Sequence, residues 1–151
     1  MASTYRTKRK KIVDAFVDEL KTNINGNSPY NSNLFNNVSG RVVFLDEISQ
    51  YPKVCVVAGD ETREYQPDGF KWRYLQLEIR CYIENEADPQ EVLSLLMEDI
   101  ERVIDNNDVL TYDDTVSPAL TTTSLTLQTL TTDEGALAPI GIGSMVLECR
   151  Y

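Results

Sequence analysis

Histidine is absent from this chain of 151 residues, and its absence excludes a large share of known active sites. Without imidazole the chain has no Ser-His-Asp or Cys-His nucleophile pair and no histidine-ligated zinc site. Phosphate-cradling loops are also missing, because Gly141-Ile142-Gly143 lacks the third glycine and the following helix of a dinucleotide-binding fingerprint. We interpret these glycines as turn formers. The sequence therefore predicts no catalytic residue, no cofactor and no metal site, and it does not predict an enzyme.

Long hydrophobic runs and paired cysteines are scarce as well. The apolar run at residues 54–58 is far shorter than the roughly 20 residues of a membrane-spanning helix, so we expect no membrane partner. The basic N-terminal segment leads into an amphipathic pattern, which predicts no secretory signal and a protein that stays in the cytoplasm where it is made. Wide spacing within apolar strand patterns favours buried free thiols over disulfides or a metal site for the three cysteines, Cys55, Cys81 and Cys149.

Basic residues are few, and several are concentrated near the N-terminus. The chain carries 14 lysine and arginine residues against 24 aspartate and glutamate residues, which gives a net charge of -10. The concentrated group consists of Arg6, Lys8, Arg9, Lys10 and Lys11. We expect residues 1–7 to form a flexible basic tip that either contacts an acidic neighbour or remains solvated. The acidic remainder repels phosphate backbones, which disfavours duplex DNA binding by the folded part.

Two amphipathic helices are predicted. Within residues 8–25, apolar residues recur at helical spacing and form a single stripe. The second helix has explicit start signals, because Asp88 can cap free backbone N–H groups and Pro89 needs no donor in the first turn. Glu91 lies three residues beyond the cap, as in a capping box. Residues 106–108, Asn-Asn-Asp, are expected to close this helix.

Alternating or β-branched segments predict the strands. They are residues 41–48, 53–58, 72–84, 120–130 and 144–151. We expect residues 59–69 to form an exposed hairpin connection and the last strand to complete a sheet. Since the connections between strands are short, the sequence predicts one α+β domain over residues 1–151. Its mainly antiparallel or mixed β-sheet carries two α-helices packed on one face.

Several segments follow one another in a characteristic order along nearly the whole chain. They are the N-terminal amphipathic helix, Tyr51-Pro52-Lys53-Val54 before a strand, the ladder at residues 75–83, the helical sequence at residues 95–101, and Asp133-Glu134-Gly135 leading through Pro139 and Gly141 to the strand that ends at Tyr151. Their order and spacing resemble those of the tail terminator, or tail completion, proteins of tailed bacteriophages.

This resemblance implies a structural role without catalysis. Such proteins form a ring, usually a hexamer, on the end of the tail tube, stop its polymerisation and present a surface to the head connector. The implied partners are other copies of the chain, the tail tube protein and the head-tail connector or neck protein, with DNA only as cargo in the lumen. The implied location is the neck region of the virion tail, after assembly in the host bacterial cytoplasm. An acidic body suits a passage that must not trap DNA.

The connection at residues 59–69 and the aromatic residues after it are the candidate contact surface, because arginine and aromatic residues are enriched at interface hot spots. The candidate contact residues are Arg63, Tyr65, Phe70 and Trp72. Trp72 could equally shield the sheet. Two other functions remain open, namely another neck component such as a head-closure or connector protein, and a small cytosolic ligand-binding or regulatory domain with an apolar pocket.

Overall fold

A computed structural model describes residues 6–151 of the chain. Residues 1–5 of the expected N-terminal tip lie outside the described residues. The two remaining residues of that tip contact the first helix. The Thr7 hydroxyl accepts a hydrogen bond from the Lys10 amide at 3.2 Å, and the Arg6 guanidinium donates to the Asp14 carboxylate at 2.5 Å.

Both predicted helices are present. Helix α1 spans Lys8–Asn23, and α2 spans Pro89–Asp105. The Asp88 carboxylate accepts a hydrogen bond from the Glu91 amide at 3.2 Å, so the predicted cap of α2 is confirmed. Asn106 is the C-cap residue, as its position at the end of the apolar stripe indicates. Within residues 6–151, no helix has both the length and the apolar character required to span a membrane.

Five strands form the main sheet in the order β1-β2-β3-β7-β6. They are β1 (Val38–Ser39), β2 (Lys53–Tyr65), β3 (Lys71–Glu84), β6 (Ser124–Thr132) and β7 (Ile140–Arg150). Strand β1 runs parallel to β2, and all other neighbours in this sheet are antiparallel. Two short strands, β4 (Thr111–Asp113) and β5 (Leu120–Thr121), form a separate antiparallel pair. The mixed, mainly antiparallel sheet confirms the predicted α+β class.

Both helices cover the same face of the main sheet, as predicted. Side chains alternate between the two faces of a strand, so every second residue of β3 and β7 points toward the helices. These buried residues are Leu75, Leu77, Ile79, Cys81, Ile83, Met145, Leu147 and Cys149. They join the apolar stripes of α1 and α2 in one core, which is therefore one-sided. All three cysteines are free and buried, which confirms their predicted state.

The segment at residues 41–48 is not the strand that the sequence predicts. Its Leu45–Glu47 portion forms a short 3-10 helix, and the segment lies on the sheet face opposite the helices. There the buried side chain of Val43 packs against Cys55 and Tyr82, and the Tyr82 hydroxyl donates to the Val43 carbonyl at 3.2 Å. The apolar residues that suggested a strand cover a patch of the sheet instead of extending it.

Two other predicted boundaries are wrong. Strands β2 and β3 continue through much of residues 59–69, so only a short turn separates them. The strand predicted at residues 120–130 is divided between β5 and β6. At residues 59–69 hydrophobicity is too low to indicate a strand, because the side chains face solvent while the backbone is held by strand pairing.

Gly141 and Gly143 lie inside β7, which corrects their interpretation as turn formers. They mark the place where α2 crosses the sheet. A Cβ atom at residue 143 would lie 2.9 Å from the Met97 Sδ and 3.2 Å from the Leu93 Cδ1. A Cβ atom at residue 141 would lie 3.0 Å from the Ile83 Cδ1. The missing side chains allow close approach of helix and sheet.

Replacing Gly143 by valine tests this contact. We expect Gly143→Val to lower the free energy of unfolding by about 1–3 kcal/mol, because the added methyl groups overlap Met97 and Leu93. Ser144→Val is the matched control, since residue 144 belongs to the opposite face of β7, and its effect should stay within about 0.5 kcal/mol. Chemical denaturation measures both. Equal stability of the two variants would contradict the proposed close approach.

Candidate interaction surface

The connection between β2 and β3 is a long two-stranded arm, which we define as residues 59–73. Arg63 pairs with Arg73, and Tyr65 pairs with Lys71. The arm closes in a tight turn, in which the Gln66 amide donates to the carbonyl of residue 70 at 2.7 Å. The predicted exposed connection is therefore an ordered hairpin that extends beyond the core.

A β-bulge lies at the base of the arm. The register of β2 against β3 shifts between Ala58 and Glu61. Val56, before the shift, is fully buried, whereas most residues of β2 after the shift are exposed. A bulge bends its strand and increases the local twist. The bulge therefore sets a new direction for the arm relative to the core sheet.

The four candidate contact residues lie on the arm but do not form one patch. Directly paired residues share a sheet face, so Arg63 and Tyr65 lie on the face that continues the helix-covered side. Trp72 lies on the opposite face. The side chain of Phe70 contacts Trp72, with ring centroids 4.8 Å apart in an edge-to-face arrangement. Tyr65 and Phe70 are exposed by 70% and 50%, which makes them the most prominent apolar groups of the arm.

Trp72 is half-buried and lies outside the apolar core. The Arg150 guanidinium lies over its ring at 4.3 Å from the centroid, and Phe70 contacts it from another side. Cation–π and edge-to-face contacts each favour a fixed ring orientation. The tryptophan therefore presents a defined apolar surface on the open face of the sheet.

The other face of the arm carries a cluster that the sequence did not indicate. The Glu61 side chain is only 4% exposed, although it belongs to an exposed hairpin. Its carboxylate accepts a hydrogen bond from the Tyr151 hydroxyl. Two guanidinium groups also approach it, Arg9 at 3.8 Å and Arg63 at 3.5 Å. Burial and the hydrogen bond to Glu61 raise the pKa of Tyr151 above its ordinary value, so the hydroxyl remains a donor at neutral pH.

Four of the five basic residues near the N-terminus form ion pairs within the chain. Arg6 and Lys10 both contact the Asp14 carboxylate, and Lys11 contacts Asp113 at 2.7 Å. These pairs join α1 to itself and to β4. The positive charge of this segment is therefore largely balanced by the acidic residues of the same chain.

The open sheet face and two sheet edges have no covering element among residues 6–151, apart from the patch under residues 41–48. Strand β6 pairs only with β7, and β1 pairs with β2 only at Val54 and Cys55. The outer edge of β6 therefore presents unpaired backbone groups, and so do residues 57–65 of β2 apart from the Gly59 carbonyl, which accepts a hydrogen bond from Arg9. Such edges are ready to pair with another chain.

A cavity of about 280 Å³ lies between the start of α2 and the loop that follows α1. Its walls include Tyr51, Ile83 and Leu96. The buried Asp99 carboxylate holds the loop in place by accepting hydrogen bonds from the Asn31 amide at 3.0 and 3.1 Å. The cavity is at the lower limit of small-molecule sites, which start near 300 Å³, and Asp99 already has its partner. The geometry of this cavity therefore does not favour the ligand-binding alternative.

Comparisons of the sequence with known proteins agree on one family. Residues 6–151 match the sequence profile of the family described as Bacteriophage Tail Tube Terminator Protein. The chain is 38% identical to the tail tube terminator protein p142 of Escherichia phage T5, over 95% of this chain and 92% of that protein. Its fold also resembles that of a chain in the virion of a native gene transfer agent particle, with a TM-score of 0.60, 11% identity and 92% of each chain covered. At 11% identity, the likeness to the gene transfer agent chain concerns the fold alone.

The Lys11–Asp113 pair predicts a pH dependence. The Lys11 ammonium and then the Thr115 hydroxyl, which donates at 2.5 Å, lower the pKa of Asp113 to about 2. A carboxyl group whose pKa is lowered by folding stabilises the fold at pH values above its ordinary pKa of about 3.9. This stabilisation is lost as the pH falls toward the folded-state pKa. We therefore expect Asp113→Asn to lower the melting temperature at neutral pH and to have little effect near the folded-state pKa.

Thermal unfolding across this acid range measures the effect. Asp114→Asn is the matched control, because residue 114 is exposed and adjacent. A difference between Asp113→Asn and wild type that persists unchanged at the acid limit would contradict the role of the ion pair.

Proposed function

The chain belongs to the bacteriophage tail tube terminator protein family, and from this membership we propose that it forms a hexameric ring on the end of the tail tube, stops tube polymerisation and presents a surface to the head connector. It is a structural component of the virion tail. The observation that carries the proposal is a family match that covers every described residue. The sheet edges and the arm support it with a physical route to assembly.

The two open edges of the main sheet support ring formation. Strand β6 contains no charged residue and no proline, two of the devices that protect an edge from pairing, although its register shifts between Leu127 and Thr129. Strands β2 and β6 run in opposite directions, since three antiparallel pairings separate them. The β6 edge of one copy can therefore pair antiparallel with residues 57–65 of the next. Contact between two different edges is heterologous. A heterologous contact closes a ring when the rotation between neighbouring copies permits closure.

The arm supports contact with a neighbouring chain or with the tube. It exposes Tyr65 and Phe70 and carries Arg63 and Trp72, which are residue types that dominate interface hot spots. The acidic balance of the chain, with a net charge of -10, suits a ring whose lumen lets DNA pass without retaining it. In this proposal DNA is cargo and not a ligand.

Charging the β6 edge tests ring formation. The double substitution Thr126→Lys/Thr129→Lys places two ammonium groups on an exposed strand and should leave stability within about 0.5 kcal/mol per site. We expect it to prevent edge pairing, and hence ring assembly and capping of tubes assembled from the tail tube protein. Light scattering gives the mass of the assembly, and negative-stain microscopy shows rings and tube ends.

Thr22→Lys/Val109→Lys is the control, because it adds the same charge at exposed residues outside the sheet edge. Normal rings and normal capping by the β6 variant would contradict the pairing of the β6 edge with the β2 edge of the next copy. If wild-type protein binds head connectors and does not affect tube length, the neck-component alternative replaces the terminator role.

Trp72→Ala tests the arm as a contact surface. We expect a folded protein whose affinity for its assembly partner falls by roughly 30-fold, since truncation of a hot-spot residue costs about 2 kcal/mol. Phe44→Ala is the control, because Phe44 is 62% exposed and lies away from the arm. Sedimentation with tail tubes measures binding. Loss of cooperative unfolding in Trp72→Ala would instead assign the tryptophan a role in stabilising the sheet.

A further inference from the structure

Glu61 occupies an unusual environment for a residue of an exposed hairpin. Most of its neighbours on the arm are exposed, yet its own side chain is 4% exposed. A buried carboxylate is costly unless its charge is balanced and its oxygens are hydrogen-bonded. Here the Tyr151 hydroxyl and the Arg9 guanidinium, both outside the arm, meet these conditions together with Arg63 on the arm itself. The location of Glu61 beside the bulge makes this contact a candidate for control of the arm's direction.

Arg9 connects the base of the arm to helix α1. Its guanidinium approaches the Glu61 carboxylate at 3.8 Å and donates to the Gly59 carbonyl at 2.5 Å. These two contacts lie on either side of Asp60, within the irregular part of β2. One side chain from the helix layer therefore contacts the strand just where its direction changes.

Tyr151 connects both strands of the arm to the end of β7. Its hydroxyl donates to Glu61 on β2, and its backbone amide donates to the Arg73 carbonyl on β3 at 3.0 Å. The Arg73 guanidinium also lies over the tyrosine ring, 5.5 Å from the centroid. Tyr112 supports the ring from its edge, with centroids 6.1 Å apart. The tyrosine is therefore fixed between the body of the protein and both strands.

The polar contacts on the opposite face of the arm are different in kind. The Tyr74 hydroxyl donates to Glu64 at 3.2 Å, and the Gln66 amide group donates to the same carboxylate at 3.1 Å. Both contacts join residues within the hairpin or at its base. They stabilise the hairpin itself but cannot set its angle to the helices. This contrast supplies an internal control.

We propose that Tyr151 and Arg9 clamp Glu61 and thereby hold the arm in the direction required for docking to a neighbouring chain. They act as positioning residues, because they contact the buried face of the arm and leave its exposed tip free. The claim that the arm docks to a neighbouring chain rests on the proposed function. The claim that the clamp sets the direction of the arm does not. Loosening the clamp should mobilise residues 61–73 while the core sheet remains closed.

Hydrogen exchange of the purified protein tests the clamp directly. In Tyr151→Phe, which removes the hydroxyl and keeps the ring, we expect amides of residues 61–73 to exchange about tenfold faster than in wild type. Amides of α2 and of residues 77–81 should keep their rates. Tyr74→Phe is the matched control, since it removes a hydroxyl contact within the arm, and it should leave the arm's exchange within about twofold of wild type. Arg9→Ala should resemble Tyr151→Phe.

Unchanged exchange in Tyr151→Phe would overturn the proposal, and so would a uniform increase throughout the chain, which indicates a loss of global stability alone. Tube capping by the same variants tests docking. Faster exchange in the arm with normal capping would refute the docking part and keep the clamp. If wild-type protein fails to cap tubes while the exchange result holds, the proposed function fails independently of the clamp.

Discussion

Close packing of α2 on β7 at Gly143 determines which surfaces remain uncovered. The contact brings Met97 and Leu93 against the strand backbone and concentrates the apolar core on one side of the sheet. Because α1 occupies the same side, the cover on the opposite face that residues 6–151 provide is the patch around Val43. Among residues 6–151 no element covers the rest of that face or pairs along the full length of either edge. A one-sided core is thus the physical basis for an assembly role in this fold.

Patterns among neighbouring residues predicted the parts of the fold that depend on short-range interactions along the chain. The cap at Asp88, the helical stripes and the alternation within β3 follow from neighbouring residues, and all three are confirmed. The strand at residues 41–48 and the turn at Gly141 were wrong for a common reason. An apolar segment can pair or can cover a sheet, and a glycine can turn a chain or admit a helix, so tertiary contacts decide between the two.

The candidate contact surface was likewise predictable only where neighbouring residues indicate it. Exposed aromatic residues near a polar connection were sufficient to indicate the arm, but their distribution over two faces depends on the register beyond the bulge. The Glu61–Tyr151 contact joins residues 90 positions apart, and neither residue stands in a pattern that suggests it. Likewise, the basic N-terminal segment appears free in the sequence. The folded chain brings Asp14 and Asp113 to it.

The burial of the three cysteine thiols limits their reactivity in the virion. Burial raises the pKa of Cys81 and of Cys149 to about 12, so both remain protonated at neutral pH, and Cys55 is fully buried as well. Only the thiolate takes part readily in oxidation and disulfide exchange. A virion protein passes from a reducing cell interior to an oxygenated medium. Burial of all three thiols, together with the raised pKa of Cys81 and Cys149, disfavours their oxidation in that medium.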